Sequence, residues 1–388
     1  MIDSSGKSLS GKNAEQSLHR DNSEQDLYGE IKPVEAVKGS LTGEERLKYM
    51  VQPLLQWFYQ NKRELPWRKD ATPYHVWLSE IMLQQTRVEA VIPYYNRFLS
   101  RLPDIPSLAD VEEEELMKLW QGLGYYNRAR NLKAAAQQAV SLYGGELPAD
   151  YEKLLKLPGI GSYTAGAIAS IAFGIARPAV DGNVLRVISR VLASEEDIGQ
   201  ARVRRKIEEQ LLAVMPSQKP GDFNQSLMEL GAMVCIPNGE PHCTECPLSG
   251  LCLARSQGKT EKIPYKAPKK PRRVEERTIL LVRWGDKFAI QKRPSTGLLA
   301  NLYEFPNLEG ALSGEQLTEY LIRVGEKAFT AEPLPSSKHI FSHVEWRMTA
   351  YYVALRKKKS DAFCFVDRKD IIEHYAIPSA FSAYLKLL

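Results

Sequence analysis

Leu157-Pro158-Gly159-Ile160-Gly161-Ser162-Tyr163-Thr164-Ala165 is a tight glycine-rich turn that runs straight into a helix. Gly166, Ala167, Ala169 and Ser170 continue it with side chains small enough for a second helix to lie close. Backbone N–H groups of such a turn, beside a helix start, can take one phosphate without reading a base. Two readings stand at this point. One is a helix–hairpin–helix that grips a nucleic-acid backbone through Gly159 and Gly161, and the other is an ordinary glycine turn.

The surroundings of the turn are helical. Apolar residues recur at helical spacing in Val51–Phe58, Val76–Leu99, Leu116–Val140, Thr164–Phe173 and Val184–Leu192. Short Pro/Gly punctuation separates them, as at Leu65–Pro66 and Pro103–Pro106. Residues 1–44 are rich in Ser, Lys, Glu, Gln and Asn and are expected to be a disordered tail, or an extension upstream of the true start. Residues 256–274 hold Pro264, Pro268 and Pro271 among Lys262, Lys266, Lys269, Lys270, Arg272 and Arg273, and read as a basic linker. Beyond it the period changes. Thr278–Trp284 and Lys287–Lys292 flank Gly285–Asp286 as a β-hairpin, Met348–Leu355 is a further strand, and Pro378–Leu388 a closing helix. The expected organisation is therefore a helical domain over 45–255 and an α+β domain over 275–388.

At 388 residues, with 44% apolar and 26% charged residues, the chain can bury sizeable cores. No apolar run approaches the roughly 18 residues of a membrane span, so no membrane partner is expected. The balance of 52 basic against 47 acidic residues, +5, permits an anionic partner without demanding one. Five cysteines in so long a chain suit a reducing compartment. Four of them form Cys235-x7-Cys243-x2-Cys246-x5-Cys252, which suits a tetrahedral metal ion or an iron–sulfur cluster; the spacing does not choose between them. Cys364, between Phe363 and Phe365, reads as a small core residue.

Two carboxylates stand out. Glu80 lies in Val76-Trp77-Leu78-Ser79-Glu80-Ile81-Met82-Leu83-Gln84-Gln85-Thr86, on a largely apolar helical face that would raise its pKa as a general acid requires. Asp181, in Val180-Asp181-Gly182-Asn183-Val184, could cap the following helix or serve as a second carboxylate. Two carboxylates in different environments are what cleavage of a glycosidic bond asks for.

Taken in order, Leu65-Pro66-Trp67-Arg68, the Glu80 helix, the Leu157 turn, Asp181 and the four cysteines resemble the adenine DNA glycosylases of the MutY type. Gly297–Pro306 and Phe341-Ser342-His343 resemble that family's C-terminal domain, so the resemblance covers roughly residues 45–388. It implies a mostly α helix–hairpin–helix glycosylase domain with a [4Fe-4S] cluster on Cys235, Cys243, Cys246 and Cys252, and a Nudix-like α+β domain that recognises 8-oxoguanine. The implied substrate is duplex DNA carrying adenine opposite 8-oxoguanine or guanine, and the implied product is free adenine. Glu80 matches the family's acid, Asp181 its stabiliser of the oxocarbenium-like sugar, and Tyr163 and Asn183 their supports. Trp67, Arg68, Leu83 and Gln225 match positions around the adenine pocket. Gln85, Thr86, Leu123 and Tyr125, the Gly159 and Gly161 turn, and Phe341, Ser342 and His343 match positions at the DNA and the lesion.

Position 163 separates relatives. The endonuclease III branch carries a lysine there whose amine attacks the sugar; Tyr163 offers no amine, which predicts a monofunctional enzyme. The alternatives are an endonuclease III-type lyase for oxidised pyrimidines and a non-catalytic metal-containing DNA-binding protein. The x7 cysteine gap departs from the family's usual x6, and Gly310–Gly325 lacks the clustered glutamates of a nucleotide-hydrolysing Nudix box. A monomeric, cytoplasmic, DNA-associated protein of bacterial type is expected.

Overall fold

Thr42 starts the first helix, Gly43–Asn61, through a capping box in which its hydroxyl accepts from the Glu45 N–H and Glu45 accepts from the Thr42 N–H. Leu47, Met50, Val51, Leu54, Leu55 and Phe58 recur along one side of that helix and are all buried. The computed structural model describes residues 41–268, 271–357 and 361–388. The proposed tail up to residue 40, and Lys269 and Lys270 of the linker, lie outside the described residues.

The helical half follows the apolar periodicity, with two breaks that the periodicity runs across. Val76–Leu99 is two helices, Pro73–Leu83 and Val88–Arg101, parted where Gln85 takes a left-handed φ of 59°. Leu116–Val140 is likewise Glu113–Trp120 and Asn127–Tyr143, parted at Gly122, Gly124 and Tyr125, the last with φ 48°. The helix after the Leu157 turn, Ser162–Ala167, passes into a π-helical turn over Ile168–Ala172. Gly166 lies there so close to the Pro178 carbonyl that a Cβ would sit 2.1 Å from its oxygen. Asp181 caps the next helix, Gly182–Val191, and Pro220–Met233 packs across it.

The second half is a mixed sheet. Strands β1 (Arg273–Trp284) and β2 (Lys287–Lys292) form the expected hairpin, paired antiparallel from Trp284↔Lys287. The short strands β3 (Tyr303–Glu304) and β4 (Asn307–Glu309) pair with β2 and β1. Strand β5 (Phe329–Ile340) pairs antiparallel with β6 (Val344–Leu355), which runs parallel to β1 along its whole length. Strand β7 (Cys364–Asp367) closes on β2. Alternation in β1 sends Ile279 and Leu281 to one face, with Trp346, Met348, Phe381 and Tyr384, and Leu280 and Val282 to the other, with Leu317 and Leu321 of the Gly314–Arg323 helix.

Three expectations are corrected here. The same alternation buries Phe363 and leaves Cys364 exposed, so this cysteine is not a core residue. The closing helix is shorter than Pro378–Leu388: a 3₁₀ turn, Ser379–Phe381, followed by Ser382–Leu385. Strand β1 begins at Arg273, inside the stretch read as linker, because its pairing with Val344 extends that far.

The two halves touch. Leu302 and Ala376 are buried in the helical core, and Gln121 and Lys118 donate to the carbonyls of Ile377 (2.8 Å) and Tyr375 (3.1 Å). Among the described residues no helix is long and apolar enough to cross a membrane.

Candidate active site

A cleft of about 910 Å³ opens between the Pro73–Leu83 helix, the Leu157 turn, the start of Gly182–Val191 and the Pro220–Met233 helix. Glu80, Tyr163, Asp181 and Asn183 line it, together with Trp67, Arg68, Leu83, Gln85, Thr86 and Gln225.

Glu80 is 6% exposed, and burial pushes its carboxyl up to about 7; the negative charge of Asp181 adds to this, while a Tyr163 hydrogen bond and the Arg68 charge oppose it. The Tyr163 hydroxyl donates to Glu80 Oε2. Burial and the two nearby carboxylates raise the phenol well above its ordinary value, so Tyr163 stays a neutral donor. Asp181 is both things its sequence allowed. As cap, its Oδ1 accepts from the Val184 N–H at 2.8 Å; its Oδ2 accepts from Asn183 Nδ2 at 2.8 Å. Burial raises its carboxyl, and those same donors pull it back. The two acids are thus unequal: Glu80 holds its proton near neutrality against one phenol, whereas Asp181 has donors that favour its anion.

Asn183 is held in turn. Arg186 donates to Asn183 Oδ1 (2.9 Å), to the Gly231 carbonyl (2.8 Å) and to the Cys235 carbonyl (2.7 Å). Gly231 is obligatory at that approach, because a Cβ there would lie 2.6 Å from Asn183 Cβ. Arg190, one turn on, donates to the Ile236 carbonyl (3.1 Å) and to Cys235 Sγ (3.2 Å). The cysteine loop is therefore tied to the helix that Asp181 caps.

Burial raises the thiols of Cys243, Cys246 (to about 12) and Cys252, and the charges of neighbouring cysteines add to it. Arg190 already donates to one of the four sulfurs, a contact that suits a thiolate. Among the described residues no three His, Cys, Asp or Glu side chains converge tightly enough for a single metal ion.

Around the cleft, the Trp67 ring packs edge-on against Tyr95 at 5.3 Å and Arg68 Nε donates to Gln225 Oε1 at 2.9 Å. Gly159 has φ 75° and sits against Asn131, whose Cβ would be 2.6 Å from a Cβ at 159; nothing crowds Gly161. Tyr125 is 48% exposed, and its hydroxyl lies 3.1 Å from Ser342 Oγ, which brings the two halves together at one point. Ser342 and His343 are exposed, whereas Phe341 packs on Trp346 at 5.1 Å. Leu123, grouped with the DNA contacts from the sequence, is instead buried in the helical core, and Arg128 holds its carbonyl. Sequence reasoning passed over Arg63, Arg186 and Glu229. Glu229 lacks the signal used for Glu80, because polar Gln225 and Ser226 stand one turn before it where Val76 stands before Glu80; its burial follows from the fold.

Residues 78–212 match the HhH-GPD superfamily base excision DNA repair proteins, and residues 278–387 match a NUDIX domain. The chain is 35% identical to a Homo sapiens adenine DNA glycosylase over 85% of this chain and 69% of that one. It is 36% identical to the adenine DNA glycosylase of Buchnera aphidicola subsp. Acyrthosiphon pisum, over 76% and 84% of the two chains. Among solved structures, a thermostable thymine-DNA glycosylase is 30% identical, with a TM-score of 0.49, covering 55% of this chain and 98% of its own. A trapped endonuclease III–DNA covalent intermediate is 25% identical, with a TM-score of 0.48, over 56% and 99%. The chain belongs to the adenine DNA glycosylases, hydrolases of base-excision DNA repair.

Proposed function

We propose that this enzyme removes adenine paired with 8-oxoguanine or guanine in duplex DNA by hydrolysing the N-glycosidic bond, without cutting the strand. The observation that carries the proposal is a pair of unequal carboxylates, buried Glu80 and part-buried Asp181, lining one cleft with Tyr163.

The adenine must leave the stack to be reached, and a mispaired base is easier to extrude. Adenine is a poor leaving group, so Glu80 delivers a proton to N7 before the bond breaks; its raised pKa keeps the acid form populated near neutral pH. The sugar then carries oxocarbenium-like charge, which the Asp181 anion stabilises electrostatically or by transient capture, with Asn183 and the Val184 N–H fixing its two oxygens. Tyr163 holds Glu80 and offers no amine to form a Schiff base, which supports a monofunctional reaction. Trp67, Arg68, Leu83 and Gln225 form the base pocket. Gln85, Thr86, Tyr125 and the Gly159–Gly161 turn contact the duplex, and Phe341, Ser342 and His343 face the 8-oxoguanine. Cys235, Cys243, Cys246 and Cys252 hold a [4Fe-4S] cluster, whose iron supplies the positive charge that lets the four bind as thiolates. The protein acts as a monomer.

Single-turnover cleavage of a duplex with one 8-oxoguanine:adenine pair, with and without alkali, tests this. Adenine loss with strand breaks only after alkali is expected. Breaks without alkali would make the enzyme a lyase, and no adenine loss from iron-loaded protein would overturn the proposal.

A further inference from the structure

One wall of the cleft holds an ion cluster in which Arg68 of the base pocket meets Glu229 and Arg63, two residues the chemistry above does not use. Glu229 has a side chain only 2% exposed, yet its two oxygens receive five hydrogen bonds. Arg63 supplies three of them, from its backbone N–H, Nε and Nη2, each at 2.9 Å. Arg68 supplies the other two, from Nη1 at 3.1 Å and Nη2 at 3.0 Å. Arg68 Nη1 also donates to the Arg63 carbonyl at 2.9 Å, and Arg68 Nε donates to Gln225 Oε1 at 2.9 Å. Four of the five N–H donors of Arg68 are therefore committed inside the wall. The guanidinium also stacks over Phe58 at 5.5 Å. Such a group is fixed in its plane and cannot swing to follow a phosphate, as an exposed arginine would.

The consequence falls on Gln225. Its carbonyl oxygen accepts from Arg68 Nε, which turns that end of the amide toward Arg68 and leaves the nitrogen, with two donors, as the end away from it. We propose that Glu229 is a positioning residue for base selection: by fixing the Arg68 guanidinium it holds the Gln225 amide with its nitrogen toward the cleft, where it donates to N1 of the extruded base. The inference rests on the adenine-excising reading above and deepens it. Adenine N1 is an acceptor and pairs with that nitrogen. Hypoxanthine carries a hydrogen on N1 and meets donor with donor, the mismatch that a site with fixed polar groups rejects.

The test uses full-length, iron-loaded enzyme and duplexes carrying adenine or hypoxanthine opposite 8-oxoguanine, under single turnover. Glu229→Gln lowers the adenine rate at least tenfold while changing the hypoxanthine rate less than threefold, because the freed Gln225 amide can turn its carbonyl to the base. Affinity for a duplex with an abasic site, where no base occupies the cleft, stays within twofold of wild type. Glu229→Asp, which keeps the charge against Arg63 and Arg68 but is too short to span both, serves if the glutamine variant does not fold, and is expected to move the ratio the same way. In the double variant with Arg68→Met the adenine rate is no lower than in Arg68→Met alone, since Glu229 acts through Arg68. An unchanged adenine-to-hypoxanthine ratio, or rates and abasic-duplex affinity falling together, would overturn the proposal. Wild-type enzyme that leaves adenine in place would instead refute the adenine-excising reading itself.

Discussion

Replacing Glu80 by Gln is expected to inactivate the enzyme and to stabilise it, and the stabilisation has a sign and a pH window that follow from the structure. Glutamine keeps an oxygen to accept the Tyr163 hydroxyl and nearly the same volume, so the change removes mainly the ionisable proton. The Glu80 carboxyl rises from an ordinary 4.5 to about 7 on burial, so the folded state holds the proton more tightly than the unfolded one. Stability from that proton is complete below about pH 4.5 and is lost as pH climbs through about 7. At roughly 1.4 kcal/mol for each factor of ten in proton affinity, the loss in wild type totals about 3 kcal/mol. Most of it, about 2–3 kcal/mol, falls between about pH 5 and about pH 8.5. Glutamine pays none of it. The thermal midpoint of Glu80→Gln relative to wild type is therefore expected to climb between those two pH values by several degrees. Taking the difference between two pH values cancels any constant effect of the altered hydrogen bond. The paired single-turnover assay should show a rate loss of about 10²–10⁴ for a missing general acid. An offset in midpoint that is the same at both pH values would refute the claim that Glu80 is protonated in the folded enzyme near neutrality.

Asp181→Asn keeps an oxygen for the Val184 N–H, so it is expected to melt within about 1 kcal/mol of wild type while losing at least about a hundredfold in single-turnover rate; comparable losses in both would reduce Asp181 to a cap. Tyr163→Lys places an amine where the phenol meets Glu80, and borohydride is expected to trap it on substrate DNA in much greater yield than wild type; no gain over wild type would remove Tyr163 as the reason for monofunctional chemistry. Gly231→Ala puts a methyl group 2.6 Å from Asn183 Cβ, and overpacking of about 1–3 kcal/mol, with a rate loss from the displaced Asp181–Asn183 pair, is expected in melting and turnover assays; wild-type behaviour in both would show that the helices can part there.

What the sequence disclosed, and what it hid, divides along one physical line. Features carried by periodicity or by neighbours in the chain were legible: the apolar face around Glu80, the cap at Asp181 and the hairpin at Gly285–Asp286. Hidden were features that need two distant segments to meet, such as Arg63 and Arg68 on Glu229, or Arg186 bridging Asn183 to the cysteine loop. Leu123 shows the same limit from the other side, since its place beside Tyr125 in the chain said nothing of which of the two would face inward.

The two breaks in the helical pattern show why the hidden features gather at the site. Periodicity runs unbroken through Val76–Leu99 and Leu116–Val140, because apolar spacing reports burial and is blind to a reversal of the chain that preserves it. The structure reverses at both places with a non-glycine residue at positive φ, Gln85 in one and Tyr125 in the other. Such a backbone costs of order 1–3 kcal/mol when nothing local favours it, and it persists only where the surroundings over-determine it. Those surroundings are visible. Arg128 donates to the carbonyls of Ile81, Met82 and Gln84 on one side and of Leu123 and Gly124 on the other, so a single guanidinium clamps both reversals. Its burial lowers its own pKa to about 10, a cost borne in holding five carbonyls at once. The two residues matched to the lesion are thus presented by one shared device. A change at Arg128 that spares the cleft, such as Arg128→Met, is expected to leave Glu80 and Asp181 in place and yet to weaken binding of lesion-bearing duplex. The two reversals would loosen together, and equal affinity for matched and lesion-bearing duplex in that variant is the readout that ties Gln85 and Tyr125 to recognition.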